Sequence, residues 1–133
     1  FTTYRIGNDL YEKRESIISK VNKEYLGECG VEVVDFIGVG TPKRASAFEV
    51  YVFDSHQPGN TAKVLLCEHA FSDKNVYERL KHKGEFILLE PNKDIPLETE
   101  NLQVIIRIKE MHYGTAPLPE NSYIEQITFE FFH

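Results

Sequence analysis

Alternation of apolar and polar residues with a period of two is the feature that most constrains the fold of this chain. Successive side chains of a β-strand point to opposite faces of a sheet, so a period of two predicts strands. In the segment 47–54, Phe48 and Val50 fall on the same face. The segments 102–113 and 123–132 alternate in the same way. All three segments are therefore predicted to be strands.

Shorter apolar runs predict further strands at 61–69, 86–89 and 95–99. The last of these is expected at the edge of a sheet, because it is brief. Segments rich in glycine and proline separate the strands and predict loops. These loops are 38–42, 57–60 and 114–119.

One helix is predicted at about 73–83. Ser72 can cap the free amides of its first turn, and Gly84 can adopt the left-handed conformation that ends a helix. Basic residues occupy the predicted last turn, where the helix dipole favours them. Three side chains of this helix are expected to face the core: Val76, Tyr77 and Leu80.

The N-terminal third is open to two interpretations. Leu10, Ile17 and Val21 fit the apolar stripe of a helix, whereas 24–34 alternates with a period of two. We favour strand–turn–strand, so the predicted fold class is mainly β, an antiparallel β-sandwich with one short α-helix. If residues 10–23 are helical, the alternative is an α+β cone with an N-terminal helix. Eleven side chains are predicted to form the core: Phe48, Val50, Val52, Leu66, Leu80, Leu102, Val104, Ile106, Ile108, Ile127 and Phe129.

The 133 residues match the size of one domain, and 41% hydrophobic residues are typical of a folded chain. We expect a single β-rich domain over 1–133, and a fragment of a longer protein, because the chain begins at Phe1. No stretch reaches the roughly 18 apolar residues of a transmembrane helix, and no signal peptide is recognisable. The sequence therefore predicts no direct membrane insertion by this segment. It favours the cytoplasm without fixing the localisation.

The formal charge of −6 lies in the C-terminal part of the chain. Residues 1–84 carry 12 acidic and 12 basic side chains, whereas residues 85–133 carry 9 acidic and 3 basic ones. Nucleic-acid binding depends on Lys and Arg side chains that displace counterions from phosphates. The charge distribution therefore predicts no nucleic-acid partner.

The two cysteines, Cys29 and Cys67, lie in apolar runs and lack the spacing of zinc ligands. We predict two buried free thiols, with one disulfide between neighbouring strands as the alternative. In an extended strand Cys67 and His69 would share a side, as a nucleophile pair requires. Nothing nearby in the sequence would lower the thiol pKa, so we interpret the pair as a core thiol beside a strand-end histidine. No catalytic residue, metal site or cofactor is predicted.

The loop at 38–44 has the composition of an anion-binding loop. Gly38 and Gly40 can present backbone amides, and Lys43 and Arg44 follow them with positive charge. A nucleotide-binding P-loop also needs another glycine before the lysine and a helix after it, and this sequence has neither. A structural hairpin loop is the favoured interpretation. The alternative anion- or ligand-binding site would comprise Gly38, Gly40, Lys43, Arg44 and His69.

Three runs of the sequence resemble segments of an uncharacterised bacterial β-rich domain, which itself resembles a C-terminal module of larger proteins. The runs are 36–43 (FIGVGTPK), 47–54 (AFEVYVFD) and 114–123 (GTAPLPENSY). The resemblance covers about 24–130 and implies a β-rich module of a larger protein. It carries no activity, cofactor or catalytic residue.

The strand predicted at 123–132 ends in two phenylalanines, and alternation places Phe132 on the face opposite Phe131. Either both faces of this strand are covered, or an apolar patch meets a partner. We therefore predict a non-enzymatic binding or protein-interaction module of a larger bacterial protein, with a protein partner or self-association. The alternative is a small-molecule-binding or hydrolytic domain with a pocket near the loop at 38–44.

Overall fold

The computed structural model describes residues 1–56, 60–115 and 118–133, and its strands form two β-sheets packed together. The predicted fold class, a mainly β sandwich, is confirmed. The predicted loops at 57–60 and 114–119 lie partly outside the described residues. The described strands are β1 (Thr2–Arg5), β2 (Glu12–Ile18), β3 (Tyr25–Ile37), β4 (Arg44–Asp54), β5 (Asn60–Leu66), β6 (Glu85–Leu88), β7 (Asp94–Glu98), β8 (Gln103–Tyr113) and β9 (Ile124–Phe132).

The four-stranded sheet has the order β1-β9-β8-β7, and the five-stranded sheet has the order β2-β3-β4-β5-β6. Among the described strands, β5 and β6 form the one parallel pair in the predicted antiparallel sandwich. A parallel pair needs a crossover connection, because the second strand must start at the same end as the first. The crossover contains α1 (Glu68–Phe71), α2 (Lys74–Leu80) and a 3₁₀ turn (Lys81–Lys83). The strand predicted at 61–69 consequently ends at Leu66.

All eleven predicted core side chains are buried, with no more than 8% of any of them exposed. One of these side chains, Phe48, makes edge-to-face aromatic contacts with the other sheet. The ring of Phe48 in the five-stranded sheet has its centroid 5.3 Å from that of Tyr4 and 5.7 Å from that of Phe129, both in the four-stranded sheet. Such ring pairs contribute about 0.5–1.5 kcal/mol beyond the burial of their area. This cluster therefore fastens the two sheets to each other.

The N-terminal third is a strand hairpin. Residues 10–23 contain β2 and the turn that leads to β3, and no helix. The favoured strand–turn–strand interpretation is confirmed, and the α+β cone with an N-terminal helix is wrong. The sequence pattern does not predict β1, because four residues are too few to show a period. Its Tyr4 is nevertheless fully buried.

The predicted helix at 73–83 forms, but its ends differ from the prediction. Asp73, rather than Ser72, caps the first turn, and its Oδ1 accepts a hydrogen bond of 2.8 Å from the backbone N–H of Asn75. A carboxylate at this position also suits the positive end of the helix dipole. The α-helix ends at Leu80, and the remaining residues form the 3₁₀ turn. The predicted single helix is preceded by a second one, α1.

The helix α2 covers the outer face of the five-stranded sheet with one side only. Val76 and Leu80 are buried, as predicted, whereas Tyr77 is 52% exposed and touches Phe86 edge to face. The prediction that Tyr77 faces the core is wrong. A seven-residue helix lying on an open sheet buries a single stripe, and the next residue after Val76 falls outside it.

Asp54, fully buried at the end of β4, ties the two sheets together. Its Oδ2 accepts a hydrogen bond of 2.7 Å from the hydroxyl of Thr99 and two more from Asn101, in the turn between β7 and β8. Its Oδ1 accepts a bond of 2.8 Å from the backbone N–H of His56. These bonds, that of Thr99 first, hold the pKa of Asp54 below its ordinary value. We interpret Asp54 as a structural residue because all of its partners are parts of turns.

Candidate binding sites

The connection between β3 and β4 covers 38–43, with Arg44 as the first residue of β4, and the segment 38–44 brings together only part of the predicted site. Gly38 and His69 line one cavity, whereas Gly40, Lys43 and Arg44 are absent from its lining. Gly38 and Gly40 both have positive φ, at 74° and 115°, which favours glycine at these positions.

The two cations of this loop lie on different aromatic rings. Lys43 Nζ lies 5.3 Å from the ring centroid of Phe36, and the guanidinium of Arg44 lies 5.5 Å from that of Tyr123. The Nε of Arg44 is buried and has no hydrogen-bond partner among the described residues. The contacts of Lys43 and Arg44 do not bring the two cations together around one anion. Anion binding by this loop therefore remains a prediction.

The cavity beside Gly38, which we call the β3 cavity, has a volume of about 390 Å³. It lies where β3 bends, since the register between β3 and β4 shifts on both sides of Asp35. The side chain of Asp35 is 14% exposed, and its Oδ2 accepts hydrogen bonds of 2.9 Å from Ser46 Oγ and from Arg79 Nη2. The lining includes Asp35, Phe36, His69, Asn75, Val76 and Arg79.

Sequence reasoning missed Asp35, Ser46 and Arg79 as members of one site. The one local signal is Asp35 itself, which interrupts an apolar run from Val33 to Ile37. Nothing in the sequence joins it to Arg79, because the two residues lie on different elements and meet only through the crossover.

The outer face of the five-stranded sheet carries a second candidate site. Glu12 lies directly opposite Glu32 in the register of β2 and β3, and Glu32 lies directly opposite Glu49 in that of β3 and β4. Directly opposite residues of an antiparallel pair project from the same face with their Cβ atoms about 4.5–5.5 Å apart. We call these three residues the glutamate row.

The glutamate row lines a groove of about 520 Å³, which we call the glutamate groove. Tyr51 also lines it, and its ring lies over Gly30, where a Cβ atom would come within 2.9 Å of the tyrosine Cε1. The absence of a side chain at position 30 therefore lets the ring lie across the sheet. The charged residues of the groove are four acidic and two basic ones: Glu12, Glu28, Glu32, Glu49, Arg14 and Lys83.

Glu49 shows the electrostatic consequence of this arrangement. Burial raises the pKa of Glu49 above its ordinary value of 4.5, nearby Lys83 opposes that shift, and a hydrogen bond with Glu32 adds to it. Arg14 is engaged with Glu12, at 3.2 Å between Nε and Oε1. The groove is therefore a site where negative charge is only partly compensated.

The outer face of the four-stranded sheet carries an apolar patch. Ile105 and Phe132 are 39% and 38% exposed, and with Pro96 they line one shallow depression. Phe131 packs against the core instead, so the predicted division of the two phenylalanines between opposite faces is confirmed. The guanidinium of Arg107 lies 4.7 Å from the ring centroid of Phe132 and covers part of the patch.

Both cysteines are free and buried, as predicted. Burial raises the pKa of Cys29 to about 12 and that of Cys67 still further, which makes both thiols poor nucleophiles at neutral pH. Cys67 precedes α1 and His69 lies within it, so the predicted core thiol is confirmed, whereas the prediction that His69 ends a strand is wrong. Over 1–56, 60–115 and 118–133 no group of three potential ligands could hold a metal ion. The helices in those ranges include none that is long and apolar enough to cross a bilayer.

Comparison with known proteins adds no relative to these observations. No protein family matches this sequence, and neither the curated proteins nor the solved structures gave a significant match.

Proposed function

We propose that this chain is a non-enzymatic interaction module of a larger bacterial protein, and that its glutamate groove binds a lysine- or arginine-bearing segment of a partner protein. The observation that carries the proposal is the glutamate row, in which three carboxylates face one another across three adjacent strands. The resemblance of three sequence runs to a module of larger proteins is compatible with this role.

The glutamate row works against the stability of the sheet. Like charges directly opposite each other destabilise antiparallel strands, and cross-strand pairs change stability by about 0.2–1 kcal/mol each. A cationic group placed between the carboxylates would replace this repulsion with charge-assisted hydrogen bonds. The glutamate row is therefore expected on a surface that is more stable with a cationic partner bound than without one.

The partner chemistry follows from the groove's charge and shape. Lysine and arginine side chains combine a cation with an apolar stem, and the ring of Tyr51 offers that stem a surface beside the carboxylates. Nucleic acid is disfavoured at this face because its phosphates would meet the glutamates. The raised pKa values of the buried thiols argue against catalysis by a cysteine nucleophile.

Titration with a fluorescent oligolysine peptide, and with a glycine–serine peptide of the same length, tests the proposal. We expect saturable binding of the oligolysine peptide alone, with an affinity that falls as salt is added, because salt screens the charges. The substitution Glu32→Gln should weaken this binding at least about tenfold, since hydrogen bonds to charged groups contribute about 1.5–3 kcal/mol.

Glu130→Gln is the matched control, because Glu130 lies on the outer face of the other sheet, where a salt bridge joins it to Lys109. It should leave peptide binding unchanged. Equal loss of binding in both variants would show that the peptide responds only to net charge, and it would overturn the assignment of the groove.

Self-association through the apolar patch is the competing form of an interaction module. Sedimentation velocity distinguishes the two forms: a monomer that binds the peptide fits the proposal. A dimer that dissociates on Phe132→Ser and does not bind the peptide contradicts it.

The β3 cavity favours a second candidate function, the binding of a small molecule near the loop at 38–44.

A further inference from the structure

We propose that the β3 cavity binds a small zwitterion of the α-amino acid class, with the ligand ammonium group at Asp35 and the ligand carboxylate at Arg79. This site lies apart from the glutamate groove, and the inference does not depend on the function proposed for that groove.

Asp35 supplies the acceptor. It is held in a fixed orientation, because Ser46 and Arg79 both donate to its Oδ2, and Ser46 is itself 1% exposed. The Oδ1 of Asp35 has no hydrogen-bond partner among the described residues. Asp35 lines the cavity, and a carboxylate with one oxygen engaged can accept a hydrogen bond from a ligand ammonium group at the other.

Arg79 supplies the donors. Its side chain is 51% exposed and meets Asp35 through Nη2, so its other N–H groups point away from that single bond. Arginine has five N–H donors in a planar fork that matches a carboxylate in two-point geometry. The pair Asp35–Arg79 therefore presents a negative and a positive group side by side. A zwitterion can place its ammonium group at the first and its carboxylate at the second.

The rest of the cavity limits the size and character of the ligand. Its volume of about 390 Å³ is near the lower end of small-molecule sites. Phe36 and Val76 provide apolar surface, and His69 and Asn75 provide polar groups for a ligand side chain. Asp73 also lines the cavity, but its Oδ1 accepts from the first turn of α2, which makes Asp35 the better acceptor for a ligand.

The test is a titration of the isotope-labelled chain with each of the common L-amino acids at millimolar concentration, followed by amide chemical shifts. We expect at least one amino acid to give saturable shifts confined to Gly38, His69, Ala70 and Asn75. The amine and the carboxylic acid that each lack one charged group of that amino acid should bind about tenfold more weakly or not at all.

Arg79→Gln should abolish the saturable shifts, whereas Arg107→Gln should not. Arg107 is a matched control, because it also pairs with an aspartate, Asp94, but lies outside the cavity. Asp35→Asn is the second variant, used only if its thermal unfolding shows a folded chain. No saturable shift with any amino acid overturns the proposal, as does binding of the amine or the acid as tight as that of the amino acid.

Discussion

Two rows of charged residues, one on the outer face of each sheet, lie in direct register across three antiparallel strands but differ in the pattern of their charges. In the four-stranded sheet, Asp94 lies opposite Arg107 and Arg107 lies opposite Glu130, so the signs alternate across three strands. We call these residues the mixed row. In the glutamate row, three negative side chains occupy the equivalent arrangement. The pairs of the mixed row favour the folded sheet, whereas those of the glutamate row oppose it.

The contacts within the two rows show the difference. Arg107 meets Asp94 with two hydrogen bonds, of 2.6 Å and 3.2 Å, and this pairing lowers the pKa of Asp94. Glu49 has the opposite response, a raised pKa, for which burial is the main cause. A carboxylate in the mixed row is therefore stabilised in its charged form, and one in the glutamate row is not.

The largest expected effect comes from making the mixed row resemble the glutamate row. Arg107→Glu removes the two-point bond to Asp94 and puts three acidic residues side by side. We expect the lowest urea midpoint of any single change in either row, because two attractive pairs become repulsive. A midpoint equal to that of the natural chain would show that the charged pairs of the mixed row do not contribute to stability.

The reverse change sharpens the comparison. Glu32→Lys gives the glutamate row the alternating signs of the mixed row, and we expect it to stabilise the fold by roughly 1 kcal/mol, from two pairs of about 0.2–1 kcal/mol each. Oligolysine binding should be lost at the same time. Urea unfolding and peptide titration of the same preparation measure the stability and the peptide affinity. A Glu32→Lys variant that is less stable than the natural chain would contradict the claim that the three glutamates repel one another.

The smallest expected effect concerns pH. The pKa of Glu49 is higher in the folded chain than its ordinary value of 4.5, so the folded state binds this proton more tightly. Its contribution to stability is complete below pH 4.5 and is lost as the pH rises through the folded pKa. Glu49→Gln should remove this contribution, and the difference in urea midpoint between pH 7 and pH 4.5 should shrink. An unchanged difference would show that Glu49 does not titrate as described.

The opposite sign applies to Asp94 and Asp54, whose pKa values are lowered. Their contribution is present above the ordinary value of 3.8 and is lost as the pH falls further. A loss of stability below that pH should remain in Glu49→Gln, which makes it an internal control for the same titration.

The sequence was sufficient for the longer strands and for the eleven predicted core side chains, but not for β1 with its buried Tyr4, nor for the sites. Phe48 and Val50 alternate within one strand, so their burial can be predicted without knowing any partner. The glutamate row depends on register, because Glu32 and Glu49 become neighbours only when β3 pairs with β4. The β3 cavity depends further on the crossover that carries Arg79. The parallel placement of β6 also follows from tertiary packing, which no local period records, whereas the cap by Asp73 is local and uses the backbone N–H groups of Asn75 and Val76.

The most direct test of the central claim is urea unfolding of the natural chain and of Glu32→Gln, with and without saturating oligolysine peptide. Without peptide, the variant should be the more stable protein, because one source of repulsion is removed. With peptide the order should reverse, because the natural chain gains more from binding. A variant that is less stable without peptide, or an order that stays the same with it, would contradict the claim that the glutamate row is kept for a cationic partner.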